Sequence, residues 1–168
     1  IETMNHWIKY LSFCITISVQ AQNWVAVGGN IDGHQVQTLF ADSTQHLLYA
    51  GGLFRSAGGI YTRNIAVLNG NNWDSLFNSS LTANPVRCIY NFKDTIIATG
   101  FLLGNFNNGI AQWNGLFWDP MGSGINSAGW CFLQVNNELL VGGSFSQAGG
   151  QPAQRLAKWD GQNWLGYD

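Results

Sequence analysis

Few residues in this chain have the types and spacing to do chemistry. Asp32 and His34 stand together in "NIDGHQ" (30–35), a carboxylate beside an imidazole, as acid–base catalysis or a cation site would use. "LYAGGLFRSAGG" (48–59) and "LVGGSFSQAGG" (140–150) carry glycine pairs Gly51-Gly52, Gly58-Gly59, Gly142-Gly143 and Gly149-Gly150, which invite a phosphate-loop reading. Cys88 and Cys131 offer a disulfide in an oxidising compartment, and Trp130 in "SAGWCF" offers an aromatic face to a ligand.

The phosphate loop fails on its own chemistry. Such a loop needs a lysine to reach the phosphates and a helix behind it, and "GGLFRSAGG" has neither. No "GxSxG" elbow is present, so no hydrolase nucleophile is read. Past residue 21 the histidines are His34 and His46 and the glutamate is Glu138, a thin supply for catalysis or for an oxygen-rich metal site. Asp74 and Asp119 follow tryptophans at matching places but have no acidic neighbour, which suits solvated edge-strand positions. No catalytic residue, metal ligand or cofactor site is therefore assigned.

The elements that must position these residues follow from composition and repetition. Charged residues make up 10% of the chain, 46% is apolar, and 21 of 168 residues are glycine. That balance suits a packed core built from short strands with many turns. The formal net charge of −2 gives no basic surface for nucleic acid, and no apolar run is long enough for a transmembrane helix.

A unit recurs. Its tail reads "NIAVLNGNNW" (64–73), "GIAQWNGLFW" (109–118) and "RLAKWDGQNW" (155–164), with closing Trp73, Trp118 and Trp164 spaced by 45 and 46 residues. Trp24, 49 residues before Trp73, closes a copy that lies mostly upstream. Each unit also holds an apolar strand ending in glycine: "LYAGGLF" (48–54), "IIATGFL" (96–102, with Gly100) and "LLVGGSF" (139–145). In the first unit the pattern predicts strands over 36–40, 47–52, 65–68 and 73–76. The Asn-Gly or Asp-Gly pair at 69–70, 114–115 and 160–161 predicts a tight hairpin between the last two. Four antiparallel strands in about 45 residues is one blade of a β-propeller. The expected fold is therefore all-β, about three four-stranded blades of an incomplete ring over 22–168.

On that frame the glycine pairs become structural, places where backbones or a ring approach closely. Trp73, Trp118 and Trp164, with Trp113 and Trp159, become core wedges. Asp32 and His34 read as a polar surface turn at one mouth of the ring, with a weak cation or catalytic site as the rival. The other units carry "NSSLTANP" and "GSGINSAG" there, so no ring of equivalent ligands forms. Cys88 and Cys131 fall at equivalent places, where the first unit has Thr38, and read as small packing residues rather than a disulfide across adjacent blades. Trp130 alone among the tryptophans of 22–168 has no tryptophan counterpart, and it stays with Asp32 and His34 as a candidate ligand contact. Asn78-Ser79-Ser80 matches a glycosylation sequon.

The glycine pair after an apolar strand, the following Ala-Gly-Gly and the "I-A-x-W-[ND]-G-x-x-W" tail resemble secreted bacterial β-propeller repeats related to kelch and galactose-oxidase-type propellers. The resemblance covers residues 24–168 and is closest in the third unit; in the second, "LLGNFNNG" replaces the Ala-Gly-Gly loop and Thr99 the first glycine. A closed propeller needs four or more blades, so about three are expected to be completed by remaining blades of the same chain, with an oligomer that completes the ring as the alternative. A copper-radical oxidase site does not carry over, since its tyrosine, cysteine and histidine positions have no match.

The first residues read as a targeting signal. Residues 1–3 look like upstream read-through before Met4, and 4–21 combine Lys9, an apolar stretch from Tyr10 to Val19 and the small residues Val19 and Ala21. Cleavage between Ala21 and Gln22 is expected. Cys14 follows Phe13 rather than a small residue, so a lipid anchor is not expected. The functional expectation is an exported, extracellular or surface module that docks a protein or glycan ligand on its loop face without catalysis. The alternative is a carbohydrate-active or oxidising propeller enzyme whose catalytic residues lie in blades outside this sequence.

Overall fold

The computed structural model describes residues 27–76, 84–100 and 109–167. Among them there is no helix, and three antiparallel sheets, each built on a path of four strands, follow one another along the chain. The first orders β1 (Ile31–Asp42), β2 (Leu47–Ala57), β4 (Ile65–Asn69) and β5 (Asn72–Ser75), with β3 (Ile60–Tyr61) paired to the end of β2. The second orders β6 (Val86–Phe92), β7 (Thr95–Gly100), β8 (Ile110–Trp113) and β9 (Trp118–Pro120). The third orders β10 (Gly129–Val135), β11 (Glu138–Gly143), β14 (Leu156–Trp159) and β15 (Trp164–Gly166), while β12 (Gln147–Ala148) and β13 (Gln151–Pro152) form a separate small hairpin.

The repeat therefore maps one unit to one sheet. The first two strands run longer than the alternation suggests: β1 begins at Ile31 and β2 continues to Ala57, because pairing resumes beyond local irregularities at Gly33 and Val36. The Asn-Gly and Asp-Gly pairs open the hairpins between the last two strands. In the first sheet Asn69 pairs with Asn72, so the turn is Gly70-Asn71. In the other two, Asn114 and Asp160 open four-residue loops, each accepting two backbone N–H groups two and three residues on.

Apolar faces stack in series. Ile65, Leu76, Val86, Ile89, Ile96 and Trp118 fill the space between the first and second sheets. Ile97, Ile110, Met121, Leu139, Val141 and Trp164 fill that between the second and third. The innermost strands lie side by side, joined by rings from each: Phe40 to Tyr90 at 6.0 Å and Tyr90 to Phe132 at 6.4 Å between centroids. The closing tryptophans are buried, as core wedges should be. Trp118 tilts against Trp113 at 5.4 Å and Trp164 against Trp159 at 5.2 Å, while Leu68 takes the corresponding place beside Trp73.

Two glycine positions are demanded by this geometry. A Cβ on Gly52, Gly100 or Gly143 would collide with the carbonyl oxygen of Gln35, Pro85 or Ala128 respectively, where the innermost strand crosses its neighbour. In both Ala-Gly-Gly motifs the glycines have positive φ, 56° and 82° at Gly58 and Gly59 and 61° and 78° at Gly149 and Gly150. Ala57 pairs with Ile60 and Ala148 with Gln151 across them, which makes each a tight two-residue hairpin turn. Each turn docks on the segment that precedes its sheet, Gly58 N–H donating to Asn30 O and Gly149 N–H to Gly124 O, both at 2.9 Å.

Candidate functional site

The innermost strand of every sheet is interrupted at one equivalent place. In β1, Val36 pairs with Gly52 and Thr38 with Gly51, leaving Gln37 without a partner on β2. In β6, Val86 pairs with Gly100 and Cys88 with Thr99, leaving Arg87. In β10, Gly129 pairs with Gly143 and Cys131 with Gly142, leaving Trp130. Each is a β-bulge, an extra residue that re-aims its side chain out of the ladder. Gln37, Arg87 and Trp130 then line one cleft of about 470 Å³ together with Gln35 and Val36.

Trp130 thus does not repeat as a tryptophan, but its position does. A carboxamide, a guanidinium and an indole meet where three bulges converge. The indole is 57% exposed, while the carboxamide oxygen of Gln37 is buried with no hydrogen-bond partner among the described residues.

β1 has a further irregularity. Gly33 pairs with Phe54 and Gln35 with Leu53, so His34 is also extra. Asp32 and His34 therefore lie within a bulged strand, not in the surface turn expected of "NIDGHQ". Gly33, at φ 148°, lets the strand pass against Phe54 and keep its pairing. The two residues line a cleft of about 550 Å³ with Arg55, Tyr61, Arg63 and Asn64. Arg63 and Asn64 both hold left-handed backbone, φ 43° and 76°. Asn64 is fixed there by its side chain, which accepts from Phe54 N–H at 2.9 Å and donates to Asn84 O at 3.0 Å. Chemically this second cleft is a basic and phenolic rim with one carboxylate. Among the described residues, no three of His, Cys, Asp and Glu gather as a metal set.

Cys88 and Cys131 are both free. Cys88 is half-buried, and burial raises its thiol pKa, opposed by the backbone N–H of Phe132. Cys131 is exposed, contrary to the packing role read for it, because the face of the third sheet that carries it has no neighbour among the described residues. Asp74 is exposed on the edge strand β5, as expected, and Asp119 accepts from Asn114 Nδ2 at 2.7 Å. The signal segment, the Ala21–Gln22 cleavage site, Trp24, the sequon at 78–80 and most of the loop that replaces Ala-Gly-Gly in the second unit lie outside the described residues.

Gln37, Arg87, Arg55, Tyr61 and Arg63 were not singled out by sequence reasoning. A signal for the first two existed. Once Thr38, Cys88 and Cys131 are aligned, the residue before each is Gln37, Arg87 and Trp130.

No protein-family model matches the chain, and no curated protein or solved structure matches it either.

Proposed function

We propose that the three sheets are consecutive blades of a β-propeller and that the chain is an exported, extracellular or surface module. It binds a protein or glycan ligand at the mouth where its innermost strands meet and performs no catalysis.

One observation carries this reading: the sheets stack by one repeated rule. Face against face, the second and third sheets each bury their closing tryptophan on the residue three past the previous closing tryptophan. Trp118 Nε1 donates to Leu76 O at 2.8 Å, and Trp164 Nε1 donates to Met121 O at 2.7 Å. A rule that adds sheets around adjacent inner strands builds a ring of blades.

The open face of the third sheet supports the same reading. Leu133, Val135 and Leu156 are 60%, 43% and 36% exposed there. Their counterparts in the second sheet are Tyr90, Phe92 and Ile110, which the third sheet covers. A further blade of the same chain would cover Leu133, Val135 and Leu156 alike.

Expression of the chain with its leader in a bacterial host tests export. Recovery outside the cytoplasm with Gln22 as the first residue supports it, and an uncleaved cytoplasmic product overturns it. Electron micrographs of the product of the complete reading frame test the fold, a closed ring supporting it and an open or elongated particle overturning it.

A further inference from the structure

We infer that the cleft formed by Gln37, Arg87 and Trp130 binds a carboxylate-bearing sugar, such as a uronic acid residue of a polysaccharide; this deepens the binding-module reading above and rests on it.

Three features select that ligand. Trp130 holds a flat indole in solvent at the edge of the cleft, 57% exposed, although a large ring is ordinarily buried. Its face matches the apolar C–H face of a pyranose. Arg87 brings a cationic guanidinium to the same cleft, whose other lining residues among those described, Gln35, Val36, Gln37 and Trp130, are uncharged. A guanidinium meets a carboxylate through two parallel N–H donors, which makes it the natural partner of a uronate. Gln35 and Gln37 complete the set with carboxamides that both donate and accept, as ring hydroxyls do. The unpartnered Gln37 oxygen gains a donor if its amide turns to meet such a hydroxyl.

An acidic peptide is the competing anion. Peptides commonly bind by adding a strand to a continuous sheet edge. Here the binding groups project from bulges, where the ladder is broken, so the cleft offers side chains rather than an uninterrupted backbone edge. At about 470 Å³ its volume falls in the range of small-ligand sites.

Calorimetric titration of the folded chain with oligogalacturonate, a neutral galactan oligosaccharide and polyglutamate tests the assignment. The acidic oligosaccharide is expected to bind best. Trp130→Ala should weaken it at least about tenfold, as for a central aromatic contact, and Trp130→Phe should recover part of the loss. Arg87→Gln should remove the preference for the acidic over the neutral sugar. Near-ultraviolet circular dichroism confirms that each variant keeps its packing. Oligogalacturonate binding that is absent, or that Trp130→Ala leaves unchanged, overturns this site, as does polyglutamate competing equally. Other glycan or protein binding that survives Trp130→Ala would leave the module reading standing while this site falls.

Discussion

The indole N–H of Trp164 reaches across a sheet boundary to the carbonyl oxygen of Met121, 2.7 Å away, with both residues buried. This bond ties the last strand of the third sheet to the segment that leaves the second. Trp164→Phe keeps most of the ring's burial and leaves the Met121 carbonyl only its longer bond from Gly124 N–H at 3.2 Å, an expected loss of about 1 kcal/mol in urea unfolding. Trp118→Phe should cost a similar amount, since Trp118 makes the same bond to Leu76. Trp73→Phe should cost less, because the Trp73 indole nitrogen has no such partner among the described residues.

Two glycines of the third sheet separate crowding from backbone strain. A Cβ on Gly143 meets the Ala128 carbonyl, whereas a Cβ on Gly150 meets nothing, although φ there is +78°. Gly143→Ala should destabilise by about 3 kcal/mol through overpacking. Gly150→Ala should cost about 1 kcal/mol through left-handed strain alone. Thermal unfolding of the two variants side by side measures the difference.

Arg155 occupies a position that the other units fill with residues better suited to it. Asn64, Gly109 and Arg155 precede the third strand of their sheets with φ of 76°, 63° and 68°. Each carbonyl accepts from the N–H of the equivalent glycine in the second strand of its sheet: Gly52, Gly100 and Gly143. Arginine has no local hydrogen bond that compensates for left-handed backbone, while asparagine and glycine tolerate it. Arg155→Gly is expected to stabilise the chain by about 0.5–1 kcal/mol in urea unfolding.

The repeat, the four-stranded pattern and the buried tryptophans are legible in the sequence because residue type carries them. Tryptophan spaced by 45 and 46 residues has few uses other than a recurring wedge, and the glycine pairs mark backbone crossings. The bulges are not legible in that way. "QVQTLF" (35–40) reads as plain alternation, yet Gln37 drops out of register, and no residue type announces it. The equivalent slip in β10 leaves Trp130 looking solitary in the sequence, and a separate one at His34 hides Asp32 and His34 within a strand. The exposure of Cys131 depends on what packs against its sheet face, which local sequence does not encode.

Asp42 is a carboxylate whose protonation should report on the joint between the first two sheets. It is 4% exposed and accepts from Thr44 Oγ1 at 2.6 Å, Thr44 N–H at 3.0 Å and Gln45 N–H at 3.1 Å within its own hairpin. It also accepts from Asn91 Nδ2 of the second sheet at 3.0 Å. The Thr44 hydroxyl is the largest influence holding its pKa below the ordinary 3.8; burial opposes it, and the Gln45, Asn91 and Thr44 N–H donors add to the lowering. A folded-state pKa below the unfolded one means that Asp42 stabilises the fold fully above about 3.8 and loses that contribution as pH falls through the lowered value. Asp42→Asn should therefore lower stability at neutral pH and flatten its decline below about pH 4 in urea unfolding. Some decline should remain, because backbone N–H groups of Asn163 and Gln162 lower Asp160 in the same direction. Asn91→Ala should raise the Asp42 pKa towards its ordinary value without restoring it, since the hairpin donors persist. Carboxyl titration by NMR reads that shift directly, and an unmoved Asp42 in Asn91→Ala would show that the Asn91 bond does not contribute to it.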